Sequence, residues 1–235
     1  MINLNPLKKV TDYQSMLDRI FIFTLVSTVI CIWCIRSYWP WLNELLVKYD
    51  FELPISTIKI PIPAATFLPA FVIAIIARSI KLHDRISDLF RIRYYFDTRK
   101  IITPIAKRVG VSAEQIPRLF VKRNHYMRKI FYEYASSTNP KIDTHNIIEA
   151  LDNWSWFWCW IESWSIWFVT GLIIIFLGFI SVGITMILGA SLIVFVFTLF
   201  YWPQCVKYVN AQIEDIFDDP QREAEIKACL NALQH

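Results

Sequence analysis

Residues 154–202, WSWFWCWIESWSIWFVTGLIIIFLGFISVGITMILGASLIVFVFTLFYW, run for 49 positions with one ionisable side chain, Glu162, and no Lys or Arg. A helix crosses the roughly 30 Å hydrocarbon layer with about 20 residues, since lipid offers no partner to an open backbone N–H or C=O. The stretch is long enough for two crossings. Gly178 and Gly183 bracket its midpoint, and glycine accepts the positive φ of a tight reversal. The reading is a helical hairpin, with a third span at 153–177, a tight external turn at 178–183 and a fourth span at 184–202.

Two further apolar runs lie toward the N-terminus, at 20–35 and 60–80. The first is extended to 42 by Tyr38, Trp39, Trp41 and Leu42, with Arg36 snorkelling to the interface. The whole chain is 55% hydrophobic and 16% aromatic, well above a soluble domain. The fold class predicted is therefore all-α, a four-span membrane protein with spans at 20–42, 60–80, 153–177 and 184–202. Lys8 and Lys9 before an apolar run resemble a secretory signal, but Arg36-Ser-Tyr-Trp-Pro-Trp offers no small-x-small cleavage site. The first run reads as a retained anchor.

Orientation is read from the loops. Residues 81–152 carry 14 Lys/Arg against 8 Asp/Glu, whereas the loop at 43–59 and its flanks carry Lys48 and Lys59 against Glu44, Asp50 and Glu52. Basic loops stay inside. The expectation is an inner-membrane protein with residues 1–19, 81–152 and 203–235 in the cytoplasm and 43–59 outside. The net charge of +4 follows from this bias and is no signal for nucleic acid.

The insert at 81–152 reads as helical. Leu82, Ile86 and Leu89/Phe90 form an apolar stripe that continues the second span, and Thr103-Pro104 interrupts the next helix. Ser112 and Gln115 have capping-box spacing before a helix over 113–135, on which Ile116, Phe120, Met127, Phe131 and Tyr134 share a side. Asp143 or Thr144 caps the helix that leads into the third span. The tail at 203–235 is acidic, with 6 Asp/Glu against 3 Lys/Arg, and amphipathic at Val206, Val209, Ile213 and Ile216/Phe217. Docking of the tail on the basic insert is one expectation. The other is that either segment binds a cytoplasmic protein partner.

Chemistry is sparse. No phosphate loop, nucleophile elbow or zinc-protease helix is present, so no catalytic residue is expected and no enzyme is inferred. His83 with Asp84 and Asp88 falls short of the three or four convergent ligands a metal needs, with Lys81 and Arg85 beside it. No cofactor or metal follows. Cys31 and Cys34 read as small packing residues, since their helix lies in lipid. Glu162 sits about 12 Å beyond Trp154 along its helix, where an unpaired carboxylate is costly, and Arg78 at the inner end of the second span is its candidate partner. Trp154, Trp156, Trp158, Trp160 and Trp202 read as an interfacial belt, with some rings turned toward protein. Ser181, Thr185 and Gly189 form a small-residue stripe suited to close helix packing within the chain or between subunits of a homo-oligomer. Pro69 predicts a kink in the second span.

Four spans, the basic helical insert beginning Lys81-Leu-His-Asp-Arg-Ile-Ser-Asp-Leu-Phe, and the stretch Phe131-Tyr-Glu-Tyr-Ala-Ser-Ser-Thr-Asn-Pro together resemble small membrane effectors of bacterial anti-phage defence systems. The resemblance is one of architecture over the whole chain. It implies an oligomeric, pore-forming effector that alters membrane permeability on a cytoplasmic signal or partner. A membrane anchor for a soluble partner, or a channel or transporter subunit, are the alternative readings; the last lacks inverted repeats.

Overall fold

In the computed structural model, which describes residues 5–55, 58–62 and 64–231, the apolar runs are helices with bounds that differ from the sequence reading. Helix α1 spans Tyr13–Tyr38 and starts seven residues before the apolar run. Asp12 Oδ1 accepts the Ser15 N–H at 2.8 Å while Ser15 Oγ accepts the Asp12 N–H at 3.1 Å, a reciprocal cap that holds the first turn. Pro40 ends α1, because the residue before a proline is pushed out of helical conformation, and Trp39 sits at φ −124°, ψ 88°. Trp41 and Leu42 therefore belong to a separate short helix, α2 (Pro40–Val47), and do not lengthen the first span.

The run 60–80 is divided. Its first residues lie in strand β2 (Ile58–Ile62), which pairs antiparallel with β1 (Phe51–Ile55), Phe51 opposite Ile62. The β-branched alternation at 58, 60 and 62 suits a strand, and a two-stranded ribbon is all edge, so Pro61 is tolerated. Helix α3 covers Ala64–Ser79, about 24 Å and short of a full crossing. Pro69 lies inside it. The sharp bend falls at Lys81, whose φ is +52°, where α3 gives way to α4 (Leu82–Leu89) with a change of direction of 58°.

The insert then steps through α5 (Ile92–Phe96), a π-helical segment at Asp97–Ile102, and α6 (Thr103–Arg108). It continues with α7 (Ile116–Val121), α8 (Arg123–Tyr126) and a second π-helical segment at Met127–Tyr132. The predicted helix over 113–135 is thus broken in pieces, with Lys122 at φ −105°, ψ 30° between α7 and α8. The Ser112/Gln115 capping box does not form. Ser112 accepts the Gln115 and Ile116 N–H groups through its carbonyl in a turn, and α7 starts without a side-chain cap, its second residue being Pro117. Asp143 does cap α9, its carboxylate accepting the His145 N–H at 2.9 Å.

Helices α9 (Thr144–Phe176) and α10 (Ile180–Phe217) are 33 and 38 residues long, about 50 and 57 Å. The reversal between them needs Leu177, Gly178 and Phe179 alone, with Gly178 at φ +95°. Gly183 is already helical. Helix α10 runs through Pro203, so the first stripe of the acidic tail is part of the same helix as the fourth span; α11 (Pro220–Asn231) follows. Helices α1, α9 and α10 are long and apolar enough to cross a membrane, and α3 with α4 makes a fourth if the bent pair counts as one span.

The chain divides into two compact units, the first Met1–Lys8, Leu17–His83 and Trp156–Leu199, the second Lys9–Met16, Asp84–Ser155 and Phe200–His235. In the first unit α3 buries Ala70, Ala74 and Ala77 and exposes Phe71, Val72, Ile73, Ile75 and Ile76. Small residues inward and large apolar residues outward is the pattern of a helix set in lipid, where close backbone approach replaces the hydrophobic drive. Helix α10 goes further, with 6% of its most apolar window buried. In the second unit Ile102, Ile105, Met127, Ile130, Ile147, Ile216 and Leu230 make a closed aliphatic core. The acidic tail packs on the basic insert there: Arg108 donates to Glu214 at 2.5 Å and lies over the Phe217 ring, Tyr134 Oη donates to Glu225 at 2.9 Å, and Asn146 donates to Asp215 at 2.8 Å.

Candidate functional site

Glu162 is 2% exposed, in the middle of the apolar part of α9. A carboxylate in that position costs several kcal/mol without partners. Its partners come from α1 and α4. Thr24 Oγ1 donates to Glu162 Oε1 at 2.8 Å, and His83 Nδ1 stands 3.7 Å from Oε2, which accepts no hydrogen bond among the described residues. Beside them Ser27 Oγ donates to Ser163 Oγ at 2.9 Å, and Thr28 Oγ1 returns to the Thr24 carbonyl at 2.7 Å. Thr24, Ser27 and Thr28 follow i, i+3, i+4 spacing, so one face of α1 carries three hydroxyls, of which Thr24 and Ser27 reach α9. The Trp158 ring covers His83 at 6.1 Å between centroids. The result is an imidazole and a carboxylate walled from solvent, able to hold one proton between them while the net charge of the pair stays zero.

Arg78 is elsewhere. Its guanidinium pairs with Asp18 at 2.8 Å and caps the Leu17 carbonyl at 3.3 Å, so α3 is tied to α1 and Glu162 takes no part. The expected Arg78–Glu162 pair is replaced by these two separate contacts. The sequence showed one cation near the end of the second span and one lone anion, and charge alone matched them; Asp18, next to a buried Arg19, was the nearer partner.

The tryptophans are packing rings more than a belt. Trp158 is buried, Trp160 stacks on Phe197 at 3.6 Å and 8° between planes, and Trp156 meets Phe23 and takes the Arg19 guanidinium over its face at 4.6 Å. In the second unit Trp154 and Trp202 both set edges against Phe96. The Ser181, Thr185, Gly189 stripe is exposed at all three positions: Thr185 Oγ1 donates to the Ser181 carbonyl of its own helix at 2.8 Å, and a Cβ on Gly189 would meet nothing within 4 Å. The close approach is made instead by Gly171 and Gly183. A Cβ on Gly183 would lie 2.5 Å from the Gly171 carbonyl oxygen, and one on Gly171 would lie 2.6 Å from Ile187.

A second polar cluster belongs to the second unit. A cavity of about 480 Å³ is lined by Asp84, Arg93, Asp97, Arg123, Arg128 and Tyr132 among others, with residues of both π-helical segments in its wall. Such segments occur often at functional sites. Asp97 is 5% exposed and lies 3.6 Å from Arg123 Nε. Burial pushes its carboxyl up to about 6, partly offset by Arg93 and Arg123. Asp84 faces Arg93 at 3.5 Å while His83 faces Glu162, so the His83, Asp84, Asp88 triplet does not converge; among the described residues no three His, Cys, Asp or Glu side chains form a metal site.

Three helices long and apolar enough to cross a membrane, with small residues packed inward on α3, are the marks of a helical membrane protein. Within that class the chain belongs to the YmfE protein family, which it matches over residues 12–228. No curated protein and no solved structure matches it.

Proposed function

We propose that the protein changes the permeability of its membrane to protons or small cations, with the His83–Glu162–Thr24 core as the group that handles the charge. The single observation carrying this reading is that core: ionisable residues inside apolar spans are expensive and mark ion or proton paths. The second unit, with its polar cavity, receives the cytoplasmic signal in this reading. The Lys/Arg excess of 81–152 supports a cytoplasmic side for that unit and both termini in this reading, with the spans in an inner membrane. A regulated permeability change of this kind also fits the likeness to anti-phage membrane effectors.

The test uses the full chain in liposomes loaded with a pH-sensitive dye under an imposed potential. Wild type should collapse the proton gradient several-fold faster than empty vesicles, and Glu162→Gln, which keeps the shape and removes the charge, should return the rate near to empty. Wild type indistinguishable from empty vesicles, at both neutral and mildly acidic pH, would sink the proposal. It would favour the anchor reading, which rests on Val121 at 87% and Leu89 at 76% exposure in the second unit, apolar side chains placed for a protein partner.

A further inference from the structure

Arg36 ends α1 in an environment that snorkelling does not explain. It is 6% exposed, in the last turn of the helix, where the dipole favours a cation. Its Nη2 donates to Asp50 Oδ2 at 2.6 Å and its Nε to Asn43 Oδ1 at 3.3 Å. Asp50 is held in turn by the Ala65 N–H at 3.1 Å. The remaining nitrogen, Nη1, is buried and has no hydrogen-bond partner among the described residues. A guanidinium carries five N–H donors, and both of those on Nη1 are left over. A buried donor without an acceptor is a cost that the fold has no structural reason to carry.

The same side chain lines a cavity of about 750 Å³, within the range of ligand sites. The other walls are unlike Arg36. Val29, Ile30 and Trp33 stand one and two turns back along α1, toward the middle of its apolar length, and Asn43 and Asp50 close the polar end. Trp33 is 58% exposed and Ile30 39%, so the apolar wall is open along the helix. One end of the cavity therefore asks for an oxygen acceptor and the other for hydrocarbon.

From this we infer that the cavity is a binding site for a phospholipid, its phosphate accepting from Arg36 Nη1 and its acyl chain lying along Val29, Ile30 and Trp33. Guanidinium and phosphate match in geometry and charge, and phosphate is the anion a membrane supplies at the depth of a span's end. Asp50 keeps the pocket neutral overall, which suits a head carrying one phosphate charge with a cationic or uncharged group beyond it, and disfavours a free multivalent anion. The inference does not depend on proton flux through the His83–Glu162 core.

The experiment is native mass spectrometry of the full chain in detergent, titrated with dioleoyl phosphatidylethanolamine, with dioleoylglycerol, which lacks the phosphate head, and with inorganic phosphate, which lacks the chains. Wild type should retain one phosphatidylethanolamine with at least a tenfold lower Kd than dioleoylglycerol, and millimolar inorganic phosphate should not displace it. Ile30→Trp fills the apolar wall, leaves the Arg36–Asp50 pair intact and should weaken retention about tenfold. Arg36→Gln should do the same, and Ile30→Trp keeps the conclusion safe if Arg36→Gln fails to fold. Equal retention of the two lipids, displacement by inorganic phosphate, or wild-type retention by Ile30→Trp would each overturn the site.

Discussion

Among the described residues Thr24 supplies the one hydroxyl that reaches the Glu162 carboxylate, and its loss is a clean probe of the core. Thr24→Val keeps the shape and strands Oε1, which should cost about 1–3 kcal/mol. The reading is a lower unfolding midpoint in dodecyl sulfate titration of the purified protein, and a midpoint equal to wild type would mean that another donor takes over. Asp97 gives a second, pH-linked expectation. Burial raises its carboxyl from 3.8 to about 6, so between those values the folded state holds the proton more tightly than the unfolded chain. Its contribution to stability is full below about pH 4 and is lost as pH rises through about 6, a change on the order of 3 kcal/mol. Asp97→Asn should flatten that slope in thermal melts of the detergent-solubilised chain; an unchanged slope would remove Asp97 as its source. Glu162 was legible in the sequence because a lone charge in 49 apolar positions cannot be missed. Its partners were not, since Thr24 and Ser27 blend into an apolar run. Their i, i+3, i+4 spacing with Thr28 was the available signal.

At the level of the element, the turn and the crossing of α9 and α10 use glycine for different reasons. Gly178 has φ +95° and open space around it, so it serves the reversal; Gly183 is helical and serves the approach of two backbones. A sequence shows the same letter for both. The stripe at Ser181, Thr185 and Gly189 had the right spacing for packing, yet spacing fixes only that residues share a face, and here that face is exposed. Ala70, Ala74 and Ala77 carry the same kind of pattern on a buried face of α3. Gly183→Ala should destabilise by about 1–3 kcal/mol, because the nearest atom is a backbone oxygen that cannot swing aside. Gly189→Ala is the control and should melt like wild type. Equal midpoints for both variants in detergent would show that the crossing relaxes without cost.

For the whole molecule, four apolar runs were legible and their ends were not. Length and hydropathy set how many residues can cross, whereas Pro40, the Asp12–Ser15 cap and the β pairing of 51–55 with 58–62 set where each helix starts and stops. The tail was legible as an amphipathic acidic segment, and its seat on the insert follows from opposite charge together with an apolar stripe. Topology is the expectation to check at this scale. In a cysteine-free background, a cysteine at His125 should resist a membrane-impermeant maleimide in intact cells and one at Lys48 should react; the reverse pattern would invert the orientation argued from the Lys/Arg bias.

The chain order of the polar core has a consequence for biosynthesis. Thr24, Ser27 and His83 are translated before Glu162, so when α9 leaves the ribosome its carboxylate meets hydroxyls and an imidazole already in place. The final hairpin, closed by three residues and in close contact at Gly171 and Gly183, is then expected to dock as one piece onto a receptor built by the first half of the chain. A chain stopped after residue 153 would leave that receptor facing lipid with no carboxylate to satisfy it. Pulse-chase labelling should find this truncated chain degraded quickly, and co-expression of residues 144–235 should extend its lifetime.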